Sequence, residues 1–306
     1  MDQKGEGYLF IHFTGETLEG EQIYFSLSRD GLHWEDLNEG KWVIKSEIGE
    51  KGVRDPFILR SELDGFFYMI GTDLRIANGK GWEAAQEQGS TQMLIWQSKD
   101  LIHWSKPWTF QTGIIGAGCV WAPEAIYDTE QEAYLVIWAS KLLKPFDKVG
   151  KHRIYCSYTK DFIEFSKAQV YIERSHDVID TTIINEEGIF YRFSKDETTK
   201  NIRMDCCSQL QGEFQEIHSE TLNSLPGVEG PIMFPIKEKG TWCLMVDQFQ
   251  EDLGYLPLLC SNLKEGKFDA VKPTGYDMGR TKKRHGSVLM ITEEEYKNLE
   301  HHWGVE

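Results

Sequence analysis

The segment RHGSVLMIT (residues 284–292) decides how this chain closes on itself. Four other segments, each with a similar apolar run, stand just before an aromatic-rich strand. They are RDPFIL (54–59), APEAIY (122–127), IDTTII (179–184) and EGPIMF (229–234). The first aromatic strand, YLFIHFT (8–14), has no such segment before it. We therefore expect residues 285–292 to supply the missing strand and to pair with the N-terminal one.

The aromatic strands recur five times along the 306 residues, and their β-branched and aromatic composition is typical of strands. They occupy residues 8–14, 66–72, 133–139, 189–195 and 241–247. Each precedes a strand that ends at a Ser or Thr, with an aromatic residue six or seven positions later, as in Ser28 and Trp34. A regular repeat of this kind indicates a repeat architecture. Five four-stranded units predict an all-β fold, a five-bladed β-propeller with one composite blade closed by the N- and C-terminal strands.

We expect one propeller domain over residues 1–306, with a short helix or tail over about 292–306. The formal net charge of −16 disfavours nucleic acid and anionic membranes as partners, because both are bound by clustered Lys and Arg. No basic segment followed by an apolar one is visible at the N-terminus, so we expect a cytoplasmic protein, or a secreted one if a leader was removed. The six cysteines form no metal-binding pattern and are expected to be reduced.

Acids stand at the starts of the predicted innermost strands, where apolar residues would be expected. These positions hold Asp55, Glu124, Asp180 and Glu229, and the fifth start holds His285. Carboxylates that crowd together raise each other's pKa, and such crowding is typical of active sites. Two carboxylates that flank a glycosidic bond are the groups that glycoside hydrolysis requires. The pattern thus favours a carbohydrate-cleaving enzyme.

The ordered set VRDPFIL, VWAPEAIYD, VIDTTII, GVEGPIMF and RHGSVLMIT resembles the blade motifs of glycoside hydrolase family 43 over nearly the whole chain. The resemblance implies an inverting hydrolase of the α-L-arabinofuranosidase or β-xylosidase type, acting on arabinose- or xylose-containing plant oligosaccharides or polysaccharides. It implies Asp55 as general base, Asp180 as the acid that orients and tunes, and Glu229 as general acid. It requires no cofactor, and it allows a structural calcium ion or a water cluster beside His285. Thr181 and Thr182 depart from the pair that usually follows Asp180.

Three finer expectations concern the site. Gly227, Gly230 and Pro231 are expected to let the chain enter the channel tightly and present Glu229. Glu229, as an acid among acids, is expected to have a raised pKa and to remain protonated near neutral pH. His285 is expected to be neutral and close to the axis.

Side chains at the rim are expected to contact the sugar. They are Trp82, Trp121, Glu124, Phe249 and Arg284. The segment 140–152, which carries Phe146, is expected to border the same mouth. A non-catalytic carbohydrate-binding propeller is an alternative, although a lectin needs no proton donor. A protein-interaction propeller is disfavoured, because its repeat signatures are absent.

A five-bladed glycoside phosphorylase is a further alternative, and it would need a cationic phosphate pocket. Four residues could supply one: Lys141, Arg280, Lys282 and Arg284. An exo mode of cleavage is the favoured expectation, and the pattern leaves the sugar, its linkage, endo versus exo action and the oligomeric state open.

Overall fold

The computed structural model describes residues 7–145 and 147–304, and these form five antiparallel sheets of four strands each. The composite blade contains β1 (Gly7–His12), β2 (Tyr24–Ser28), β3 (Glu35–Asp36) and the last strand of the chain, β20 (Gly286–Ile291). Blade 1 contains β4 (Val53–Arg60), β5 (Phe67–Asp73), β6 (Gln92–Ser98) and β7 (Trp108–Gln111). Blade 2 contains β8 (Trp121–Asp128), β9 (Ala133–Leu142), β10 (Lys151–Thr159) and β11 (Gln169–Ile172).

Blade 3 contains β12 (Val178–Glu186), β13 (Ile189–Asp196), β14 (Asn201–Cys207) and β15 (Gln215–Ile217). Blade 4 contains β16 (Glu229–Ile236), β17 (Thr241–Asp247), β18 (Tyr255–Cys260) and β19 (Asp269–Ala270). The innermost strands β4, β8, β12, β16 and β20 each contact the next, and β20 contacts β4, so the ring is closed. The predicted five-bladed propeller is confirmed. We call the face on which these five strands begin the mouth.

The composite blade forms as the sequence predicts. Strand β20 pairs with β1 in continuous antiparallel register, from Gly286 opposite His12 to Ile291 opposite Gly7. The hydroxyl of Ser287 joins this blade to blade 1, because it accepts from Ile58 N at 2.9 Å and donates to the carbonyl of Pro56 at 3.2 Å. Ring closure therefore rests on hydrogen bonds both within and between blades.

The predicted C-terminal helix is also present, as α3 (Glu293–Trp303). A capping box starts it: the Thr292 hydroxyl accepts from the backbone of Glu295, whose carboxylate accepts from the backbone of Thr292. The same carboxylate receives two hydrogen bonds of 2.8 Å from Arg60 of blade 1. The helix thus fastens the closing strand to the neighbouring blade.

The repeated Ser/Thr and aromatic residues mark the turn from the third to the fourth strand of a blade. In the composite blade, the Ser28 hydroxyl accepts from Gly31 N, and the Asp30 carboxylate accepts from the two amides at 32 and 33. Ser98 with Asp100, and Thr159 with Asp161, make the same bonds in blades 1 and 2. A short polar side chain that binds its own turn explains why this phrase recurs.

Two short helices escape the sequence analysis: α1 (Trp82–Glu87) and α2 (Glu220–Asn223). Segments of six and four residues are too short to show a helical period. Helix α1 belongs to the long β5–β6 connection at the mouth, where it positions Trp82. Within the described ranges no helix has the length and apolar character needed to cross a membrane.

Removing side-chain volume at the closing strand should destabilise the whole propeller. Ile291 is completely buried against blade 1 and α3. Ile291→Ala should lower the free energy of unfolding by about 2–5 kcal/mol, because it leaves a cavity where β20 seals the ring. The matched change Ile163→Ala, at a side chain that is 70% exposed, should change it by less than about 0.5 kcal/mol. Urea denaturation followed by tryptophan fluorescence measures both, and equal losses would contradict the sealing role.

Candidate active site

The innermost strands of blades 1 to 4 are each bulged close to the mouth. The pairing register between each of these strands and the second strand of its blade shifts by one residue after Arg54, Trp121, Ile179 and Glu229. The next residue in each strand has a positive φ: Asp55 at 48°, Ala122 at 46°, Asp180 at 48° and Gly230 at 51°. Non-glycine residues in this region are uncommon and concentrate at functional sites. The bulges turn the side chains at the strand starts towards the channel.

Relative to the bulges, the four acids do not occupy the same position in their strands. Asp55 and Asp180 occupy the bulge itself, whereas Glu229 precedes its bulge by one residue and Glu124 lies two residues beyond Ala122. The expectation that the four acids stand at equivalent positions is therefore wrong. A bulge adds a residue without changing the apolar pattern, so alignment by strand starts cannot detect it.

Gly227 and Gly230 are each required next to Glu229 for a different steric reason. A Cβ on Gly230 would lie 2.8 Å from the ring of His285, and one on Gly227 would lie 2.9 Å from the side chain of Gln250. Both glycines also have positive φ. The expected tight entry of this strand is thus explained by close approach to the axis on one side and to a mouth loop on the other.

His285 is buried at the centre of the ring, with Nδ1 3.4 Å from Asp55 Oδ1 and 3.9 Å from Asp180 Oδ1. Burial alone would lower the pKa of this imidazole, but the carboxyl groups of Asp180, Asp55 and Glu124 raise it to about 9. The axial position agrees with the prediction. The expected neutral state is wrong, because the surrounding acids keep the ring protonated at neutral pH.

Asp55 is stabilised as an anion by the groups around the axis. The Thr72 hydroxyl donates to its Oδ2 at 2.8 Å, and the same hydroxyl accepts from Ala122 N of the next blade. Burial tends to raise the pKa of Asp55, but His285, Arg54 and Thr72 together hold it below its usual value. Asp55 is therefore ionised at neutral pH, as a general base must be.

Asp180 and Glu124 lie deeper and bind protons more tightly. Burial raises the pKa of Asp180 to about 6, with a smaller contribution from Glu229, while His285 opposes the shift. Burial raises the pKa of Glu124 to about 8, despite His285 and a hydrogen bond with Thr182. Asp180 Oδ2 also accepts from Gly230 N at 3.1 Å. Asp180 is thereby tied to the strand that carries Glu229.

Glu229 is held between two cations. Lys195 Nζ lies 2.7 Å from its Oε2, and Arg284 Nη2 lies 3.1 Å from its Oε1. Burial acts to raise the pKa of Glu229, but these cations outweigh it and hold the pKa below its usual value. The expectation of a raised pKa is therefore wrong, because the chain surrounds this acid with positive charge as well as with other acids.

Several mouth residues were missed by the sequence analysis, among them Thr72, Lys195 and Asp247. They occupy equivalent positions, because each second-strand residue pairs with the innermost-strand residue just before the bulge. Asp247 lies opposite Glu229. Burial raises the pKa of Asp247 to about 6, although Arg284 binds this carboxylate. The signal was present in the sequence, since each lies at the end of an aromatic strand that returns to the mouth.

One wall of the mouth is a continuous stack of rings. Trp82 meets Trp121 edge to face at 5.8 Å, and Trp121 stacks on His152 at 5.3 Å. The guanidinium of Arg54 lies between the rings of Phe13 and Trp82, 4.4 and 4.8 Å from their centroids. Trp82 is 39% exposed and Trp121 is partly exposed, so both can present apolar surface to a ligand.

The opposite wall carries Phe249, whose ring lies under Lys195 with Nζ 4.2 Å from the centroid. The cations suggested for a phosphate pocket are largely paired with acids. Lys141 lies 2.6 Å from Glu87, Lys282 lies 2.5 Å from Asp252, and Arg284 binds both Asp247 and Glu229. These three cations do not form a shared anion site. Phe146 of the rim prediction lies outside the described residues.

The calcium suggested near His285 remains a prediction. Among the residues that the structure describes, no three or more His, Cys, Asp or Glu side chains are arranged to hold a metal ion. Nδ1 of His285 faces Asp55 as a proton donor, so it is not free to bind a cation. We therefore derive no step through a metal ion.

Comparison with known proteins identifies the family. The profile of a family related to glycoside hydrolase family 43, described as a probable glycosyl hydrolase domain, matches residues 3–297. An α-L-arabinofuranosidase of Bifidobacterium longum is 29% identical over 209 residues, which are 62% of this chain and 20% of that protein. This chain thus spans only a minor part of that relative's length.

Two solved structures show the same fold. An exo-β-1,3-galactanase of Phanerochaete chrysosporium aligns with a TM-score of 0.61 at 12% identity, covering 88% of this chain and 61% of that one. An endo-1,4-β-xylanase of Bacteroides thetaiotaomicron aligns with a TM-score of 0.56 at 14% identity, covering 93% and 91%. Together with the profile match over nearly the whole chain, the closed five-bladed ring and its acidic mouth show that the chain belongs to the glycosyl hydrolase domains related to family 43, a family of glycosidases.

Proposed function

We propose that this protein is an inverting, exo-acting glycoside hydrolase that releases arabinofuranose or xylose from oligosaccharides. The observation that carries the proposal is the placement of Asp55 and Glu229 at one mouth on non-adjacent blades. Strand β20 lies between their strands, with His285 at its start. Inversion requires room for a water molecule between base and acid, about 6.5–9.5 Å between the carboxyl groups. An intervening strand suits that spacing.

In this proposal Asp55 activates the water. Its carboxylate is ionised, and Thr72 and His285 restrict its orientation. A water bound by Asp55 would attack the anomeric carbon while the bond to the leaving oxygen breaks. The proton taken by Asp55 is returned to solvent after the products leave.

Glu229 supplies the proton to the leaving oxygen. Since Lys195 and Arg284 favour its anion, the competent protonated form is most populated at acidic pH. Asp180 orients this donor by accepting a hydrogen bond from Gly230 N, the residue next to Glu229. We expect an acidic pH optimum, because the lowered pKa of Glu229 leaves little of the protonated donor at neutral pH.

The substrate class rests on the arabinofuranosidase relative and on the aromatic wall. Trp82 and Trp121 offer apolar ring surface to the C–H faces of sugars. Phe249 borders the same mouth from blade 4, and Arg284 and Glu124 stand nearer the axis. No observation favours the phosphorylase, because three of its four candidate cations are paired with carboxylates. A purely sugar-binding role leaves the positive φ of Asp55 and Asp180 unexplained.

Replacing the two catalytic carboxyl groups should give different losses. Glu229→Gln should lower kcat/KM by about 10²–10⁴ on an arabino- or xylo-oligosaccharide, and by much less on a dinitrophenyl glycoside, whose leaving group needs little protonation. Asp55→Asn should lower both alike, because the water is no longer activated. The exposed Glu62→Gln is the control. Proton NMR of the first product should show the inverted anomer, and a retained anomer or a glycosyl–enzyme adduct would refute the mechanism.

Removing the lysine beside the donor should move the pH profile in a known direction. Lys195→Met removes a cation that stabilises the Glu229 anion, so the pKa of Glu229 rises and its protonated form persists to higher pH. The alkaline limb of the pH profile of kcat/KM on an oligosaccharide should shift to higher pH. Lys282→Met, at a surface pair with Asp252, should leave the limb in place. A downward or absent shift in Lys195→Met would be inconsistent with Glu229 as donor.

The buried Glu124 should appear in the pH dependence of stability. Its folded pKa of about 8 exceeds the ordinary 4.5, so folding retains a proton that the unfolded chain releases. The stability that Glu124 contributes to the wild type therefore decreases as pH rises from about 4.5 to about 8. Glu124→Gln removes this linkage, so its Tm relative to the wild type should increase between pH 5 and pH 8. Thermal unfolding at several pH values tests this, with Glu62→Gln as control, and a constant difference would count against a protonated Glu124.

A further inference from the structure

Asp247 is a buried acid with no role in the mechanism above. It ends β17, directly opposite Glu229, and only 1% of its surface is exposed. Its Oδ1 has no hydrogen-bond partner among the described residues. An ionised carboxylate that is buried with one oxygen unpaired is costly, and an asparagine or an apolar residue would serve the strand at less cost. Its presence therefore points to a task at the neighbouring Glu229.

A guanidinium joins the two acids. Arg284 donates through Nε to Asp247 Oδ2 at 2.5 Å and through Nη2 to Glu229 Oε1 at 3.1 Å. Like charges directly opposite each other on paired strands repel, and the planar guanidinium compensates both at once. The backbone N of Arg284 also donates to the carbonyl of Phe13 at 2.9 Å, which fixes where this side chain starts. The bridge is thus held at both ends.

Strand β18 constrains the bulge next to Glu229 through Tyr255. Tyr255 lies opposite Asp247 on β18, and its buried hydroxyl donates to the carbonyl of Gly230 at 2.9 Å. On the far side Lys195 holds the second oxygen of Glu229. The Glu229 carboxyl is therefore restrained at both oxygens, and Arg284, one of the two restraints, depends on Asp247 for its own orientation.

We infer that Asp247 is a positioning residue for the proton donor: by binding Arg284 it holds the carboxyl of Glu229 in the orientation that proton transfer requires. Asp247 does not contact the substrate in this scheme and acts only through Arg284. The inference rests on the proposed function, because it takes Glu229 as the donor. It predicts that changes at Asp247 reproduce the kinetic signature of Glu229 itself.

The test compares two substrates with the same sugar. Asp247→Asn keeps the shape of the side chain but weakens its hold on Arg284. We expect kcat/KM to fall by about 10² on an alkyl glycoside, which needs a well-placed proton donor. On the dinitrophenyl glycoside we expect a loss below about threefold, because departure of that group needs little proton transfer. A role in folding alone would lower both equally.

The control is Asp205→Asn. Asp205, like Asp247, is buried and binds arginine, in this case Arg174 and Arg192. It lies on β14, away from the mouth. We expect it to lower Tm without separating the two substrates. In the double variant Glu229→Gln/Asp247→Asn, the change at 247 should add no further loss on the alkyl glycoside, because no donor remains to be positioned.

Equal losses on both substrates, or additive losses in the double variant, would overturn the inference while leaving the proposed function in place. If Asp247→Asn does not fold, Arg284→Lys carries the same test, since a lysine retains the charge but cannot reproduce the planar bridge. It should show the same separation of substrates, and equal losses would again overturn the inference. Failure of Glu229→Gln itself to separate the substrates would instead refute the proposed function.

Discussion

The pairing of β20 with β1 is the interaction on which the rest of the structure depends. It joins the two ends of the chain in one sheet and closes the ring of innermost strands. The start of the same strand brings Arg284 and His285 to the acids of the other blades. Without this pairing the acids at the mouth would lose Arg284 and His285, two of the cations that compensate them. Closure of the fold and compensation of the site therefore come from one segment of nine residues.

The acids at the mouth show how one residue type acquires different properties from its neighbours. Asp55, beside an imidazolium and a threonine hydroxyl, is ionised, whereas the more deeply enclosed Glu124 is protonated at neutral pH. Asp180 falls between them, and Glu229 is kept anionic by Lys195 and Arg284. Burial disfavours charge at every one of these positions, so the direction of each shift is decided by the number and placement of cations. Four cations, His285, Arg54, Lys195 and Arg284, therefore decide which acids of the site are ionised.

The sequence was sufficient for the architecture because the propeller repeats. Five aromatic strands and the segment that completes the first of them define the blades, and a polar turn such as Ser28 with Asp30 marks three of them. The protonation states could not be obtained in this way. They depend on Thr72 and Asp247, which meet Asp55 and Glu229 across paired strands, and on Lys195, which reaches Glu229 from the neighbouring blade. The bulges were also hidden, because an added residue with positive φ leaves the apolar pattern unchanged.

The direction of the closing strands has a consequence for modular architecture. Strand β20 starts at the mouth and ends at Ile291, where it pairs with Gly7 at the beginning of β1. Both ends of the ring therefore emerge on the face opposite the mouth. A polypeptide that continued either strand would start on that face, away from the rim formed by Trp82, Trp121 and Phe249.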